Sequence, residues 1–350
     1  MPTKNIIIYR LGSLGDTIVA LPCFHKIADA FPKSNRIVLT NFPISTNVPA
    51  LEAVLLGSGL VNGAISYPVG ARSIFKLWRL AMAIRVLRPI ALIYLMPNRG
   101  VVRPFRDFIF FRLCGIRRII GFPYNADLRN LRRDRVSGFV ERECERLART
   151  LRALGPIDLS APRAWDLKLT EQEKWAGKSV LNGFGDVPFI AISMGGKKAA
   201  NDWGAARWIE LLAVLAKTHA SYGLLIVGGP ADAARAKNVT QRWPNIVVDA
   251  CHLNARESVA ALQGASIFVG HDSGPLHLAA ASQVACVGLF GNFKLPKQWH
   301  PYGERHHIIH RMEGISAISI EDVVAGVCSI LPVVGQGPAT SIARQENAKS

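Results

Sequence analysis

The chain reads as an α/β protein of two Rossmann-like domains, each a parallel sheet wrapped in helices, facing one another across a central cleft. Three observations predict this. Short apolar, β-branched runs alternate with helix-forming segments along most of the 350 residues, the pattern of βαβ units. The alternation restarts after a stretch containing Pro156, Pro162, Gly183 and Gly185, so the connection between domains falls from Gly155 to Asp186. At 49% hydrophobic and 19% charged residues, the chain can fill two cores and is too apolar for disorder. The expected boundaries are 1–165 for the first domain and 166–335 for the second, with a frayed tail over 336–350.

The first element is Ile6-Ile7-Ile8-Tyr9, apolar on both faces as strands of parallel sheets are. Gly12 and Gly15 then allow a tight turn, and Asp16 stands where a helix from Thr17 to Phe31 begins. Open α/β sheets bind ligands at this edge. An Asp there also serves as a helix cap, which contributes about 1 kcal/mol and needs no chemistry. The spacing Gly-x-x-Gly-Asp departs from the dinucleotide fingerprint Gly-x-Gly-x-x-Gly, which argues against NAD. Arg36 to Thr40 and Ile90 to Leu95 are the next strands, with a helix from Ser73 to Leu87 between them. That helix and its end mix Phe75, Trp78, Leu80 and Met82 with Lys76, Arg79, Arg85 and Arg88, which suits packing on its sheet or contact with a membrane surface. Gly121-Phe122-Pro123 leads into a charged stretch, and Cys144 to Leu154 returns to helix.

In the second half Phe189 to Met194, Gly223 to Gly228, Ile246 to Asp249 and Ser266 to Val269 read as strands. Helices start near Ala205 and Ala231, and another spans Ala255 to Gln263. The last strand runs into His271-Asp272-Ser273-Gly274-Pro275-Leu276-His277-Leu278-Ala279-Ala280-Ala281. A strand, a polar glycine loop and a Leu/Ala helix start make an anion site. The first N–H groups of the helix lack intrahelical partners and carry the positive end of its dipole, so Ser273 to His277 can hold a phosphate without a lysine. Pro275 suits the first turn. His277 is an imidazole where packing alone would place Leu or Ala.

Arg-Leu-Gly-Ser-Leu-Gly-Asp at 10–16 and Asp-Ser-Gly-Pro-x-His-Leu-Ala-Ala at 272–280 together resemble glycosyltransferase family 9, the lipopolysaccharide heptosyltransferases, over about Ile6 to His310. The resemblance implies a GT-B fold and an inverting transfer of heptose from ADP-heptose onto a lipopolysaccharide-core or related glycolipid acceptor. It implies Asp16 as the general base, taking the acceptor proton as the hydroxyl attacks the anomeric carbon. No Asp-x-Asp occurs, so the leaving diphosphate is expected to rest on helix dipoles, backbone amides and cations, with no metal and no cofactor. The donor side then comprises Asp272, Ser273, Gly274, Pro275, Leu276 and His277, with His271 orienting the loop. Gly12, Ser13 and Gly15 fall on the acceptor side.

Three further segments carry over less simply. Family members have a lysine two residues before the tryptophan of the loop from Ser193 to Trp203; here that position is Asn201. Either Lys197 or Lys198 replaces it, or the donor is handled differently, or both lysines are only solvated. Asp232 resembles the acidic residue that meets the donor ribose, and is equally placed to cap its helix. Around Asn254 the family holds adenine through backbone contacts. Trp299 to Gly303 falls near the cleft mouth, and His306, His307 and His310 lack the company of a metal site.

Charge is unevenly placed. Of a net +17, residues 1–165 carry +15 and the remainder +2. Such a field favours an anionic partner: a phosphorylated glycolipid, the anionic inner membrane face, or nucleic acid. No reading motif or aromatics interleaved on a basic strand support the last. Arg132, Arg133 and Arg135 are the expected acceptor contacts within this basic region. Six cysteines without a C-x-x-C pair, a strand within a few residues of Met1 and no apolar run of about 18 residues suggest a cytoplasmic protein peripheral to the inner membrane. Two alternatives stay open: a related transferase using another nucleotide sugar and acceptor, and a non-catalytic sugar-nucleotide or nucleic-acid-binding module, which would not need Asp16.

Overall fold

The structure is a computed structural model that describes residues 4–41, 51–70, 73–195 and 199–332. Lys197, Lys198 and the tail at 336–350 lie outside the described residues. The first half runs β1 (Asn5–Tyr9), α1 (Leu14–Val19), α2 (Leu21–Ala30), β2 (Asn35–Thr40), α3 (Leu51–Leu55), β3 (Gly63–Ser66), α4 (Ile74–Leu87), β4 (Ala91–Tyr94), α5 (Val102–Leu113), β5 (Ile119–Ile120), α6 (Ala126–Arg129) and α7 (Glu143–Thr150). The second runs α8 (Glu171–Leu181), β6 (Phe189–Ser193), α9 (Ala205–Thr218), β7 (Gly223–Ile226), α10 (Pro230–Thr240), β8 (Val247–Asp249), α11 (Ala255–Leu262), β9 (Ile267–His271), α12 (Gly274–Ala281), β10 (Cys286–Phe290), β11 (His307–His310) and α13 (Ile320–Ile330).

Each half builds one parallel sheet, ordered β3-β2-β1-β4-β5 and β11-β10-β9-β6-β7-β8. Strand order reverses beside β1 in the first sheet and beside β6 in the second, which opens a crevice at the carboxyl ends of β1 and β4, and of β6 and β9. The two sequence motifs follow β1 and β9. They therefore leave their sheets at these two switch points.

Local chemistry moved two expected boundaries. The helix expected from Thr17 to Phe31 is two helices, α1 and α2, broken at Ala20. Pro22 has no N–H to donate and its ring clashes with the carbonyl four residues back, so it is tolerated only in the first turn of a new helix. The connection from Gly155 to Asp186 is not simply loop, because it contains α8 packed on α11. The helices meet at Gly177, where a Cβ would lie 2.4 Å from the Glu257 carbonyl oxygen.

Ile7, Tyr9, Leu92 and Tyr94 pack under α4 and α5, while Ile6, Ile8 and Ile93 belong to a core that continues through α1 and α2 into α11 and α12. A third cluster fills the other side of the second sheet around Trp208. A buried arginine also joins the halves. Arg256 on α11 donates to the Val54 carbonyl of α3 at 2.8 Å, to the Leu167 and Lys168 carbonyls at 3.0 and 2.9 Å, and bidentately to Glu173 at 2.6 and 2.9 Å. Among the described residues the cysteines are free, and no helix is long and apolar enough to cross a membrane.

Candidate active site

β1 delivers Arg10 to the sheet edge fully buried. One guanidinium nitrogen donates to the Leu95 carbonyl at 2.7 Å, and the other donates to the Asp16 main-chain carbonyl at 2.6 Å while standing 3.8 Å from Asp16 Oδ1. Behind it, Arg146 pairs with Glu143 at 2.6 Å and donates to the Met96 carbonyl at 2.8 Å. Gly12 exchanges hydrogen bonds with the Asn41 side chain, and a Cβ on it would fall 2.4 Å from Asp16 Cβ. The turn must be glycine for Asp16 to fold back.

Asp16 occupies the third position of α1, with Ser13 as the capping residue. Its Oδ2 accepts both the Ser13 N–H and the Ser13 hydroxyl at 2.8 Å. The cap expected at Asp16 is instead Ser13, and Asp16 closes a capping box from the third position, with its side chain 23% exposed and Oδ1 3.8 Å from the Arg10 guanidinium. A carboxylate tethered by one oxygen keeps the other without a hydrogen bond among the described residues.

On the facing side, β9 ends in His271, whose Nε2 accepts from the Trp203 N–H and the Trp208 indole N–H, both at 3.3 Å. Burial holds this imidazole down to about 4, so the ring is neutral and pins the loop before α9 against β9. Arg235 fixes the same loop through a bidentate pair with Asp202 at 2.7 and 2.8 Å, and Asn201 beside it is buried. Ser273 starts α12 with extended backbone, and its hydroxyl is buried without a partner among the described residues. Burial raises Asp272 to about 6, opposed by the charge of Lys294 and reinforced by that of Asp16. Burial likewise lowers His277 to about 4, so its Nε2, 4.0 Å from Asp272 Oδ1, faces the carboxyl as a neutral ring.

The two motifs touch through bare glycines. A Cβ on Gly15 would lie 2.8 Å from His277 Cδ2, and one on Gly274 would lie 2.6 Å from Leu14 Cδ2. Such spacing sets α1 and α12 backbone to side chain, with Pro275 and Leu276 in the first turn of α12. Sequence reasoning included Arg10 in the first motif without giving it a role, and it did not single out Lys294. Lys294 follows β10, the strand next to β9, and its ammonium lies 5.0 Å from the Trp299 ring. Loops after neighbouring parallel strands share one edge, and that rule was the available signal.

The other expected residues divide into two groups. Asp232 accepts the Gly229 N–H at 2.8 Å, and Cβ atoms on Gly195 and Gly228 would lie 2.5 and 2.6 Å from its carboxylate, so Gly229 is the cap of α10 and Asp232 braces it from the third position beside the ends of β6 and β7. Asn254 accepts from the N–H groups of Arg256 and Glu257 at 2.9 and 3.0 Å, which engages its side chain as the cap of α11. Arg132 pairs with Asp127 at 2.9 Å, Arg133 donates to the Gly138 carbonyl at 2.6 Å, and Arg135 is exposed without an ion pair among the described residues. Arg133 and Arg135 stand on a turn closed by the Arg133–Val140 bridge and Arg132 directly precedes it; Asp134 of that turn feels the charge of Lys297 in the second half. His300 bonds His310 at 2.9 Å, and among the described residues no three His, Cys, Asp or Glu side chains gather as metal ligands would. A cavity of about 340 Å³ opens behind α1 and α12, walled by His277 and Tyr302 but by neither Asp16 nor Asp272.

Solved structures share this architecture. A glycosyl transferase family 9 protein from Veillonella parvula superposes with a TM-score of 0.70 at 18% identity, covering 94% of this chain and 98% of that one. The E. coli ADP-heptose lps heptosyltransferase II gives 0.65 at 19% identity, covering 94% and 98%. The E. coli heptosyltransferase WaaC with ADP gives 0.64 at 16% identity, covering 93% and 99%. At these identities the likeness establishes the fold, the GT-B pair of parallel sheets. No curated protein sequence matches the chain. The model of glycosyltransferase family 9 (heptosyltransferase) matches residues 109–321, which include the Asp272 motif and exclude the Asp16 motif. With more than half of its length inside that match, the chain belongs to glycosyltransferase family 9.

Proposed function

We propose that the protein is an inverting glycosyltransferase that moves a heptose from ADP-heptose onto a lipopolysaccharide-core or related glycolipid acceptor at the cytoplasmic membrane face. One observation carries the reading. A carboxylate with one oxygen left for chemistry, Asp16, and a helix start with a buried hydroxyl unpartnered among the described residues, Ser273, come from opposite halves and meet through Gly15–His277 and Gly274–Leu14. Asp16 Oδ1 removes the proton of the acceptor hydroxyl while its oxygen bonds to the anomeric carbon; the bond from that carbon to the donor diphosphate breaks on the opposite side, which inverts the centre. The departing diphosphate is received by the N–H groups of α12 and by Lys294. Family membership and the E. coli WaaC structures with ADP and with ADP-2-deoxy-2-fluoro heptose support an ADP-sugar donor. The basic first half supports an anionic acceptor there, with the donor on the second half.

Asn201 in place of the family lysine favours a second reading, a transferase of the same mechanism with another nucleotide sugar. A panel of nucleotide sugars, scored for hydrolysis and transfer, separates the two. Binding without turnover of any donor would point instead to a non-catalytic module. Transfer is expected to survive exhaustive chelation, because helix dipole and cations serve the leaving group; a strict requirement for added divalent metal would overturn this mechanism.

A further inference from the structure

Two helices of the first half carry a second apolar face that nothing in the described fold covers. α4 buries Leu80 and Ile84, and α5 buries Phe111, against their own sheet. On the outer side of α4, Phe75, Trp78, Met82 and Val86 recur at intervals of three, four and four residues. Val102, Phe105, Ile109 and Leu113 repeat those intervals on α5. All eight are exposed, from 42% for Met82 to 80% for Val102. One apolar stripe suffices to dock a helix on its sheet, so a second stripe on the opposite side implies a second partner.

The charge of the same face names that partner. Lys76, Arg79 and Arg85 accompany the first stripe, and Arg103, Arg106 and Arg112 the second, all of them exposed. Between Glu52 and Asp127 the sequence holds eleven Lys and Arg and a single carboxylate, Asp107. That carboxylate is 2% exposed and bonded to Tyr94, Arg99 and Arg106, so neither helix offers a negative charge to the outside. Two copies of such a face would repel one another, and nucleic acid has no use for eight exposed aliphatic and aromatic side chains.

We infer that α4 and α5 form a membrane-docking face, whose two stripes enter the headgroup boundary of an anionic phospholipid bilayer while the flanking arginines and lysines meet its phosphates. The two helices are neighbours, and each begins after a parallel strand, β3 or β4, at the sheet edge where α1 also begins. Because α1 packs on the opposite side of that sheet, docking by this face leaves the Asp16 edge uncovered. The inference deepens the glycolipid-acceptor reading, but vesicle binding itself requires no chemistry.

Flotation of the full chain with vesicles of phosphatidylglycerol and phosphatidylcholine, against phosphatidylcholine alone, tests it. Binding is expected only with the anionic lipid and should weaken as salt is raised. Trp78→Ser combined with Phe105→Ser should lower partitioning by about tenfold or more. The same double variant should keep its circular dichroism spectrum and its turnover on a lipid-free acceptor sugar, and Asp16→Asn should float like the unaltered protein. Unchanged flotation of the double variant, or binding indifferent to headgroup charge, would overturn the inference. So would a dimer in sedimentation that the double variant dissolves, because the face would then belong to a second copy. Normal flotation with no turnover on any nucleotide sugar would sink the transferase reading and leave this one standing.

Discussion

The two oxygens of Asp16 differ, one closing the capping box to Ser13 and one standing beside the Arg10 guanidinium, and the proposed mechanism uses the second as the base. Asp16→Asn keeps a carbonyl oxygen for the Ser13 donors and removes the basicity, so the helix should survive while turnover falls by about 10²-fold or more. Donor affinity, measured by calorimetry, should stay within about twofold. Near-normal turnover where chemistry limits the rate would show that another group takes the proton. Asp16 and His277 were legible in the sequence because each residue type is at odds with its neighbours: a carboxylate after a glycine turn, an imidazole in a Leu/Ala helix. Arg10 was not, since its meaning comes from a carbonyl 85 residues away. Asp232 and Asn254 stayed ambiguous in sequence, and the hydrogen bonds that engage each side chain at its helix start lie within three residues of it.

At the level of elements, α1 and α12 approach each other only because Gly15 and Gly274 have no Cβ. Gly274→Ala should force α12 away from Leu14 and cost about 1–3 kcal/mol of stability, with a larger loss in kcat/KM than in donor affinity. Adding Leu14→Ala should restore part of both, since it removes the atoms the new methyl meets; no recovery would mean that the damage arises elsewhere. The turn at Arg132, Arg133 and Arg135 yields a separate expectation. Replacing all three with Gln should weaken binding of an anionic glycolipid and flatten its salt dependence, as exposed charges are screened over about 8 Å, and leave donor affinity unchanged. Arg135 should dominate, because Arg132 already answers Asp127 and its loss frees that carboxylate. Equal loss of donor binding would refute the assignment of this side to the acceptor. Strand and helix alternation was readable in sequence because apolar period and glycine punctuation are local. The break at Ala20 and the packing of α8 were misjudged, the first because Pro22 was not weighed against a continuous apolar run, the second because a glycine-rich segment can still pack a helix when a neighbour fits it.

The whole molecule should lose stability in acid through its buried imidazoles. His271 and His277 are held near 4 in the folded chain, against an ordinary 6.5 once unfolded. As pH falls below about 6.5 the unfolded chain gains protons that the folded one does not, so stability present at neutral pH is lost progressively toward about 4, on the order of a few kcal/mol. Asp272 acts in the opposite sense, its folded value of about 6 lying above the ordinary carboxyl, so it returns part of that loss. Urea midpoints at pH 7 and 4.5 should differ accordingly, and His271→Gln with His277→Gln should narrow the gap; an unchanged gap would place the acid sensitivity in other groups. The Arg256 contact gives the architecture a consequence for biosynthesis. Val54, Leu51 and Leu55 are fully buried in a core shared with α11, and the Val54 carbonyl is met by a side chain 202 positions later. A nascent chain leaving the ribosome must therefore hold an apolar edge uncovered until α11 emerges. The first half is unfinished as a folding unit, and a stall before Arg256 would leave a sticky intermediate rather than a dormant domain.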